Sequence, residues 1–209
     1  MIEEEAEPEP GEKVKIIGVT GGIGSGKSTV SKFIEEAGFP VYYSDIRAKT
    51  IVNDDPELRQ KIKALLGEKS YDEAGLYDRK YVGNVVFDDA NLLLKLNSLI
   101  HPAVKLDFEK WVKQQSKNLV FKETALLFEL KLNEGCFKSI LVTADDNCRL
   151  KRVMDRDNKT YREVESIMLR QMPEKDKVKM ADFIIFNNDG FEELQRETEK
   201  VLTELQATF

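Results

Sequence analysis

The stretch VKIIGVTGGIGSGKST, residues 14–29, decides the fold of this chain. It opens with Val14–Thr20, a run rich in β-branched residues that predicts a short buried strand. Residues 21–28 then fit the phosphate-binding pattern Gly-x-x-x-x-Gly-Lys-Ser/Thr, and a helix-compatible stretch follows and stops at Gly38. Because a strand precedes the loop and a helix follows it, an incidental glycine-rich turn is the weaker interpretation. The order of elements predicts a site for a nucleoside triphosphate.

Each residue type in this loop has a physical reason. Glycines let the backbone curl so that several N–H groups face phosphate oxygens, and the following helix N-terminus favours an anion. Lys27 would place a cation beside the β- and γ-phosphates, and the Ser28 hydroxyl would ligate Mg²⁺. The loop residues predicted to bind ATP are Gly22, Ile23, Gly24, Ser25, Gly26, Lys27, Ser28 and Thr29.

Strand-like and helix-like segments alternate along residues 14–53 and again along 119–206. This alternation predicts a three-layer α/β fold, with a parallel sheet covered by helices on both faces. Residues 56–117 have only helical patterns, which predicts a helical subdomain inserted into that fold. Within the insertion, Pro102 is expected to end one helix before another begins, with His101 at the boundary.

Two carboxylates are expected near the carboxyl ends of strands, where α/β sheets bind ligands. Asp45 follows the predicted strand FPVYY, residues 39–43, and could be a general base, an outer Mg²⁺ group or a helix N-cap. Glu123 follows the predicted strand at 119–121, and it could orient a metal or be a solvated loop residue. The spacing alone leaves these alternatives open.

A row of arginines predicts a lid over residues 147–175. Arg149, Arg152 and Arg156 recur on one helix face ahead of a turn and of Thr160-x-x-Glu163, a capping-box pattern. A charged helix–turn–helix of this kind fits a lid that closes over ATP and excludes water. The alternative is an ordinary solvated helix.

The composition narrows the class of protein. The 209 residues carry a net charge of -6, but six glutamates lie within residues 1–12, and without them 32 acidic residues balance 32 basic ones. We therefore expect a disordered acidic tail at 1–12, a neutral body at 13–209 and no nucleic-acid partner. We expect no membrane span, since no apolar run is long enough, and a cytoplasmic protein with reduced cysteines. A single histidine and two cysteines argue against a zinc site.

Taken together, these residues resemble the dephospho-coenzyme A kinase family over about 14–200. The motifs that carry the resemblance are Ile17–Thr29, Tyr43–Lys49, Tyr77-Asp78-Arg79 with Val86-Phe87, His101-Pro102, Leu126-Leu127-Phe128-Glu129, Arg152–Asp157, Arg170-Gln171-Met172, and Ala181-Asp182 leading to Asn187-Asn188. Each match is weak alone, but their joint occurrence in this order is specific. There are two departures: Glu123-Thr124-Ala125 stands where the family often has Asp-x-Pro, and Tyr43 where it often has a further Asp.

The resemblance implies ATP-dependent phosphorylation of the ribose 3′-hydroxyl of dephospho-coenzyme A, with the inserted helical region holding the acceptor. It implies that Asp45 is the base on the acceptor side, with Arg79 and His101 also binding the acceptor. Arg152 and Arg156 would belong to the lid, with Arg156 catalytic, and Asn187 would lie by the nucleotide.

The residues leave two alternative functions open. One is a kinase of the same fold that acts on a nucleoside monophosphate or another small metabolite. The other is a nucleotide-dependent switch that is not a kinase. The lid arginines favour a kinase, and the chain lacks the Asn-Lys-x-Asp motif expected of a guanine-specific switch.

Overall fold

The computed structural model describes residues 14–87 and 89–208, so the predicted acidic tail lies outside the described residues. The chain divides into two compact units. The first unit consists of the chain up to Tyr43 and the chain from Gln115 onward. The second unit is the segment between them, Ser44–Gln114.

The first unit is built on a parallel sheet. Its strands within the described residues are β1 (Lys15–Thr20), β2 (Val41–Tyr43), β3 (Leu119–Glu123), β4 (Lys138–Thr143) and β5 (Phe183–Phe186). They lie side by side in the order β2-β3-β1-β4-β5. In this register Val19 of β1 pairs with Glu123 of β3, which fixes the carboxyl end of the central strands. The predicted strands and the parallel sheet are confirmed.

The α-helices are numbered in chain order. They are α1 (Lys27–Glu36), α2 (Ser44–Asp54), α3 (Pro56–Leu66), α4 (Arg79–Phe87), α5 (Ala90–Val112), α6 (Asp146–Asp157), α7 (Tyr161–Leu169), α8 (Glu174–Met180) and α9 (Phe191–Gln206). Short 3₁₀ turns occur at Glu68–Ser70 and Leu132–Gly135. None of the helices among the described residues combines the length and apolar character needed to cross a membrane.

The core shows that helices cover both faces of the sheet. Ile17 and Phe121 from the strands pack in one buried cluster with residues of α1 and α9, including Leu205. Val120 of β3 and Leu141 of β4 each lie between two residues of that cluster along their strand, and each is also fully buried. Since successive strand residues face opposite sides, both faces are covered, and the predicted three-layer α/β class is confirmed.

The second unit consists of α2 to α5 and the chain between them. Arg47 on α2 donates two hydrogen bonds of 2.8 Å to the carboxylate of Asp107 on α5 and also pairs with Asp54. The Tyr71 hydroxyl donates to the Val52 carbonyl at 2.7 Å. This unit begins at Ser44, so it includes α2, which the sequence analysis left outside its insertion at 56–117.

The predicted break at Pro102 is wrong, because α5 runs through it as one helix of 23 residues. A proline inside a helix removes one hydrogen bond to the carbonyl four residues earlier. Here that carbonyl belongs to Ser98, which is exposed, so water can hydrate it. Buried side chains on both sides of the proline, Leu96 and Phe108 among them, hold the helix together. His101 therefore lies inside a helix and not at a boundary.

Two helices lacked a sequence prediction, α4 and α8. The predicted capping box is confirmed, since Thr160 and Glu163 exchange side-chain and backbone hydrogen bonds at the start of α7. That helix ends at Leu169, and Pro173 is the N-cap of α8.

Candidate active site

The phosphate-binding loop joins the end of β1 to the start of α1. Ser25 N–H donates to the Gly22 carbonyl at 3.1 Å, which closes the turn. Gly26, the N-cap of α1, has φ of 97°, a left-handed conformation that favours glycine. A Cβ at Gly26 would also collide with the Asn187 side chain. The loop conformation therefore requires glycine at this position.

The start of α1 favours an anion. Lys27 and Ser28 are its first two residues, and no acidic residue occurs in its first turn. Unpaired N–H groups and the helix dipole place partial positive charge at such an end, and the lysine adds a full charge. The first turn therefore has the charge and the donors that a phosphate needs.

Lys27 forms an ion pair with Glu123, the last residue of β3. Both side chains are largely buried, with exposed fractions of 12% and 4%. The alternative of Glu123 as a solvated loop residue is therefore wrong. A pair this buried is stable only while both partners remain, because either charge alone would be desolvated without compensation.

Behind the loop, a second set of contacts involves Arg152 and Asn187. Asn187 follows β5 and donates its side-chain N–H to the Ser25 carbonyl at 2.8 Å. Arg152 on α6 donates to the Asn187 carbonyl at 2.9 Å. These two predicted nucleotide-binding residues thus lie together with the loop.

Arg156 lies further along α6 and contacts a different partner. Its guanidinium donates two hydrogen bonds, of 2.7 and 2.8 Å, to the carboxylate of Asp157. The side chain is 64% exposed. The structure therefore places Arg156 in solvent beside its neighbour and does not bring it onto the loop.

The predicted acceptor residues all belong to the second unit. Asp45 is half-buried in the first turn of α2, which begins one residue earlier, so it is not an N-cap. Arg79 is the first residue of α4 and donates to the Lys49 carbonyl of α2 at 2.8 Å. His101 lies in α5, where partial desolvation lowers the pKa of its imidazole below 6.5 and so favours the neutral ring at pH 7.

Two side chains that the sequence analysis did not assign to the site also contact the loop. Arg149 and Gln171 both hydrogen-bond the backbone of Ile23. Arg149 shares a helix face with Arg152, which was a usable signal. Gln171 is part of a family motif, but nothing in its spacing indicated a contact with a backbone amide.

Comparison with known proteins identifies the family. The sequence model of the family described as dephospho-CoA kinase matches residues 15–193 of this chain. The chain belongs to the dephospho-CoA kinase family. A relative from Fusobacterium nucleatum named dephospho-CoA kinase is 35% identical over 187 residues, covering 90% of this chain and 96% of the relative. Another of that name from Chlorobaculum tepidum is 37% identical over 197 residues, covering 91% and 94%.

A solved structure agrees with this assignment. Dephospho-CoA kinase from Campylobacter jejuni superposes with a TM-score of 0.69 at 27% identity, covering 93% of this chain and 98% of that one. The resemblance inferred from the motifs is confirmed. Membership of this kinase family makes ATP the expected phosphoryl donor. A kinase of another acceptor, or a switch without kinase activity, is not favoured.

Proposed function

We propose that this chain transfers the γ-phosphoryl group of ATP to the ribose 3′-hydroxyl of dephospho-coenzyme A, giving coenzyme A and ADP in the last step of coenzyme A synthesis. The observation that carries the proposal is the phosphate loop with Lys27 paired to Glu123, in a chain of the dephospho-CoA kinase family. Phosphoryl transfer depends mainly on positioning and on charge neutralisation, and the loop has groups for both.

Several residues in and around the loop bind ATP, the phosphoryl donor. When ATP binds, the ammonium group of Lys27 leaves Glu123 and pairs with the β- and γ-phosphates, because a triphosphate carries more negative charge than a single carboxylate. Amides of the loop and of the first turn of α1, those of Gly24 and Gly26 among them, hold phosphate oxygens. Arg152 and Asn187, which are bonded to each other and to the loop, lie where they can bind the nucleotide.

The oxygen donors near the loop fit Mg²⁺. Ser28 offers a hydroxyl, and Glu123 a carboxylate whose present partner, Lys27, is the group expected to move to the phosphates. The described residues contain no cluster of three or more His, Cys, Asp or Glu side chains suited to a metal. Mg²⁺ needs no such cluster, because it commonly binds through one or two protein oxygens, water and the substrate phosphates. Bound there, Mg²⁺ would neutralise charge between the phosphates.

The second unit supplies the acceptor side of the proposal. Asp45 accepts the proton of the 3′-hydroxyl as that oxygen attacks the γ-phosphorus, and Arg79 and His101 bind dephospho-coenzyme A. Arg156 stabilises charge on the transferring group after its exposed guanidinium leaves Asp157. Since the pair of Arg156 with Asp157 is on the surface, exchanging it for a phosphate costs little.

We also expect the chain to work in the cytoplasm on small molecules, without a nucleic-acid or membrane partner. Its two cysteines, Cys136 and Cys148, are free thiols, as is usual in a reducing compartment.

An acceptor panel tests the function. The purified chain is incubated with ATP and Mg²⁺, and ADP release is followed with dephospho-coenzyme A, with nucleoside monophosphates and without acceptor. We expect turnover with dephospho-coenzyme A alone, and a loss of about a hundredfold or more in kcat for Asp45→Asn. Glu204→Gln is the control for the loss of one carboxylate charge, because Glu204 is exposed on α9. Turnover with a nucleoside monophosphate but not with dephospho-coenzyme A would reject the proposal.

A further inference from the structure

Ile23, at the turn of the phosphate loop, is held on both sides by side chains from the lid region. Its N–H donates to Gln171 Oε1 at 3.0 Å. Its carbonyl accepts from Arg149 Nε, also at 3.0 Å. These two groups belong to the two successive peptide planes that flank Ile23. Fixing both planes fixes the φ and ψ angles between them.

Arg149 is held rigidly enough to act as an anchor. Its side chain is 4% exposed, and the guanidinium lies 3.3 Å from Asp146 and 3.2 Å from Glu174. Together with the Ile23 carbonyl, these carboxylates compensate the buried charge. Gly22 leaves the space that this arrangement needs, because a Cβ there would collide with the guanidinium.

The contacts continue along the loop. The Ser25 carbonyl accepts from Asn187, and the Gly24 carbonyl lies 3.5 Å from Arg152, at the limit of a hydrogen bond. In a trans peptide the N–H points opposite to the carbonyl. Anchoring the carbonyls of Ile23 and Ser25 on one side therefore directs the N–H groups of Gly24 and Gly26 to the other.

We propose that Arg149 and Gln171 are positioning residues of the phosphate loop, which hold Ile23 so that the amides of the loop are oriented before ATP arrives. Preorganisation of this kind strengthens binding because the loop need not be ordered at the moment of association. Arg149 lies in α6 and Gln171 follows α7, so both chain ends of the α6–α7 hairpin are fixed to one residue of the loop. The inference rests on the proposed binding of ATP by that loop.

The first test removes the acceptor at residue 171 and keeps its length. Gln171→Met leaves the Ile23 N–H without a partner, whereas Gln171→Glu keeps an oxygen in place. Affinity for ATP with Mg²⁺ is measured by calorimetry, alongside KM for dephospho-coenzyme A and the melting temperature. Gln195→Met is the control, because Gln195 is exposed on α9 and its side chain donates to Glu199, one turn further along the same helix.

We expect Gln171→Met to weaken ATP binding about tenfold, with KM for dephospho-coenzyme A unchanged, and Gln171→Glu and Gln195→Met to bind ATP as the wild type does. A Gln171→Met variant that binds ATP like the wild type, or a loss that Gln171→Glu does not restore, overturns the inference. If the wild type binds ATP and Gln171→Met binds equally well, the proposed function stands and only this inference fails. A wild type that does not bind ATP overturns both.

A double-mutant cycle tests whether the two anchors act on the same residue. Replacing Arg149 alone would leave Glu174 without its partner, so the variant is Arg149→Met with Glu174→Gln. We expect this variant also to weaken ATP binding, and its combination with Gln171→Met to weaken it by much less than the product of the two separate effects. If the combined variant lost ATP affinity by the full product of the two separate losses, the inference that Arg149 and Gln171 position the same residue would be overturned.

Discussion

At the scale of single residues, the ion pair between Lys27 and Glu123 joins the phosphate loop to the end of β3. The lysine belongs to the phosphate-binding pattern, but its charge is largely buried and needs compensation. Glu123 supplies that compensation and is also the carboxylate proposed to reach Mg²⁺. In the proposed mechanism, the phosphates of ATP would replace Glu123 as the partner of Lys27, and the carboxylate would then be available to Mg²⁺.

The variant Glu123→Gln separates these two tasks. Without Mg²⁺, we expect ATP to bind several-fold more tightly than to the wild type, because the carboxylate no longer competes for Lys27. With Mg²⁺, we expect kcat to fall by at least about tenfold, because a metal ligand is lost. Calorimetry with and without a chelator and steady-state kinetics measure the two effects.

Glu36→Gln, an exposed change at the end of α1, is the control for the loss of one negative charge. If Glu123→Gln left both the Mg²⁺ dependence and kcat as in the wild type, Glu123 would have no role at the metal.

Site residues that belong to a local sequence pattern could be predicted from the sequence, whereas contacts of side chains with the backbone could not. Lys27 follows from the loop motif, and Glu123 from its place after a strand. The contacts of Arg149 and Gln171 are with the main chain of Ile23, more than a hundred residues away in sequence. Every residue has the same backbone groups, so no side-chain pattern at Ile23 indicates its partners.

At the scale of elements, the short helix α8 connects the lid region to the segment that follows β3 through charged contacts. Glu174 in its first turn holds Arg149. One turn later, the fully buried Lys177 places its Nζ 3.1 Å from Glu129 Oε1. Glu129 also accepts from the Met172 N–H at 3.3 Å. A buried lysine is costly unless paired, so α8 depends on Glu129.

We therefore expect Glu129→Gln to lower the free energy of unfolding by about 3 kcal/mol, because it leaves Lys177 charged and buried. Glu68→Gln is the control, since Glu68 is 82% exposed in its pair with Lys63 and should change stability by less than about 0.5 kcal/mol.

Urea unfolding at pH 7 measures the free energy of unfolding of Glu129→Gln and of the control Glu68→Gln. Adding Lys177→Met to Glu129→Gln should recover part of the loss, since neither charge is then buried alone. A Glu129→Gln variant as stable as the control would show that Lys177 does not depend on this carboxylate.

Elements were predictable where periodicity and end signals agreed. The strand predicted at 14–20 is observed as Lys15–Thr20, and the helix after the loop ends just before Gly38, as predicted. The break at Pro102 was wrong, because packing on both sides of the proline outweighs the loss of one hydrogen bond. Charged residues fill most of α8, and its one fully buried side chain is a lysine, so it lacks the apolar stripe that reveals a helix in sequence.

At the scale of the whole molecule, charge was informative through its distribution and not through its sum. The net charge of -6 equals the six glutamates of residues 1–12, and the remainder is balanced. Within that balanced part, Lys27, Arg149 and Arg152 gather around the loop where the triphosphate is proposed to bind. The parallel sheet was predictable because strand, loop and helix follow one another locally. The family was predictable because its short motifs occur together, in order, along the chain. The division at Ser44 was not, because it depends on which helices pack together.

The most direct test of the central claim is the structure of the product. The purified chain is incubated with ATP, Mg²⁺ and dephospho-coenzyme A, and the nucleotide product is isolated and analysed by mass spectrometry and by phosphorus and proton NMR. We predict coenzyme A, with one new phosphomonoester on the 3′-oxygen of the ribose, formed in equal amount to ADP. A product phosphorylated elsewhere, or ADP formed with dephospho-coenzyme A left unchanged, would contradict the account.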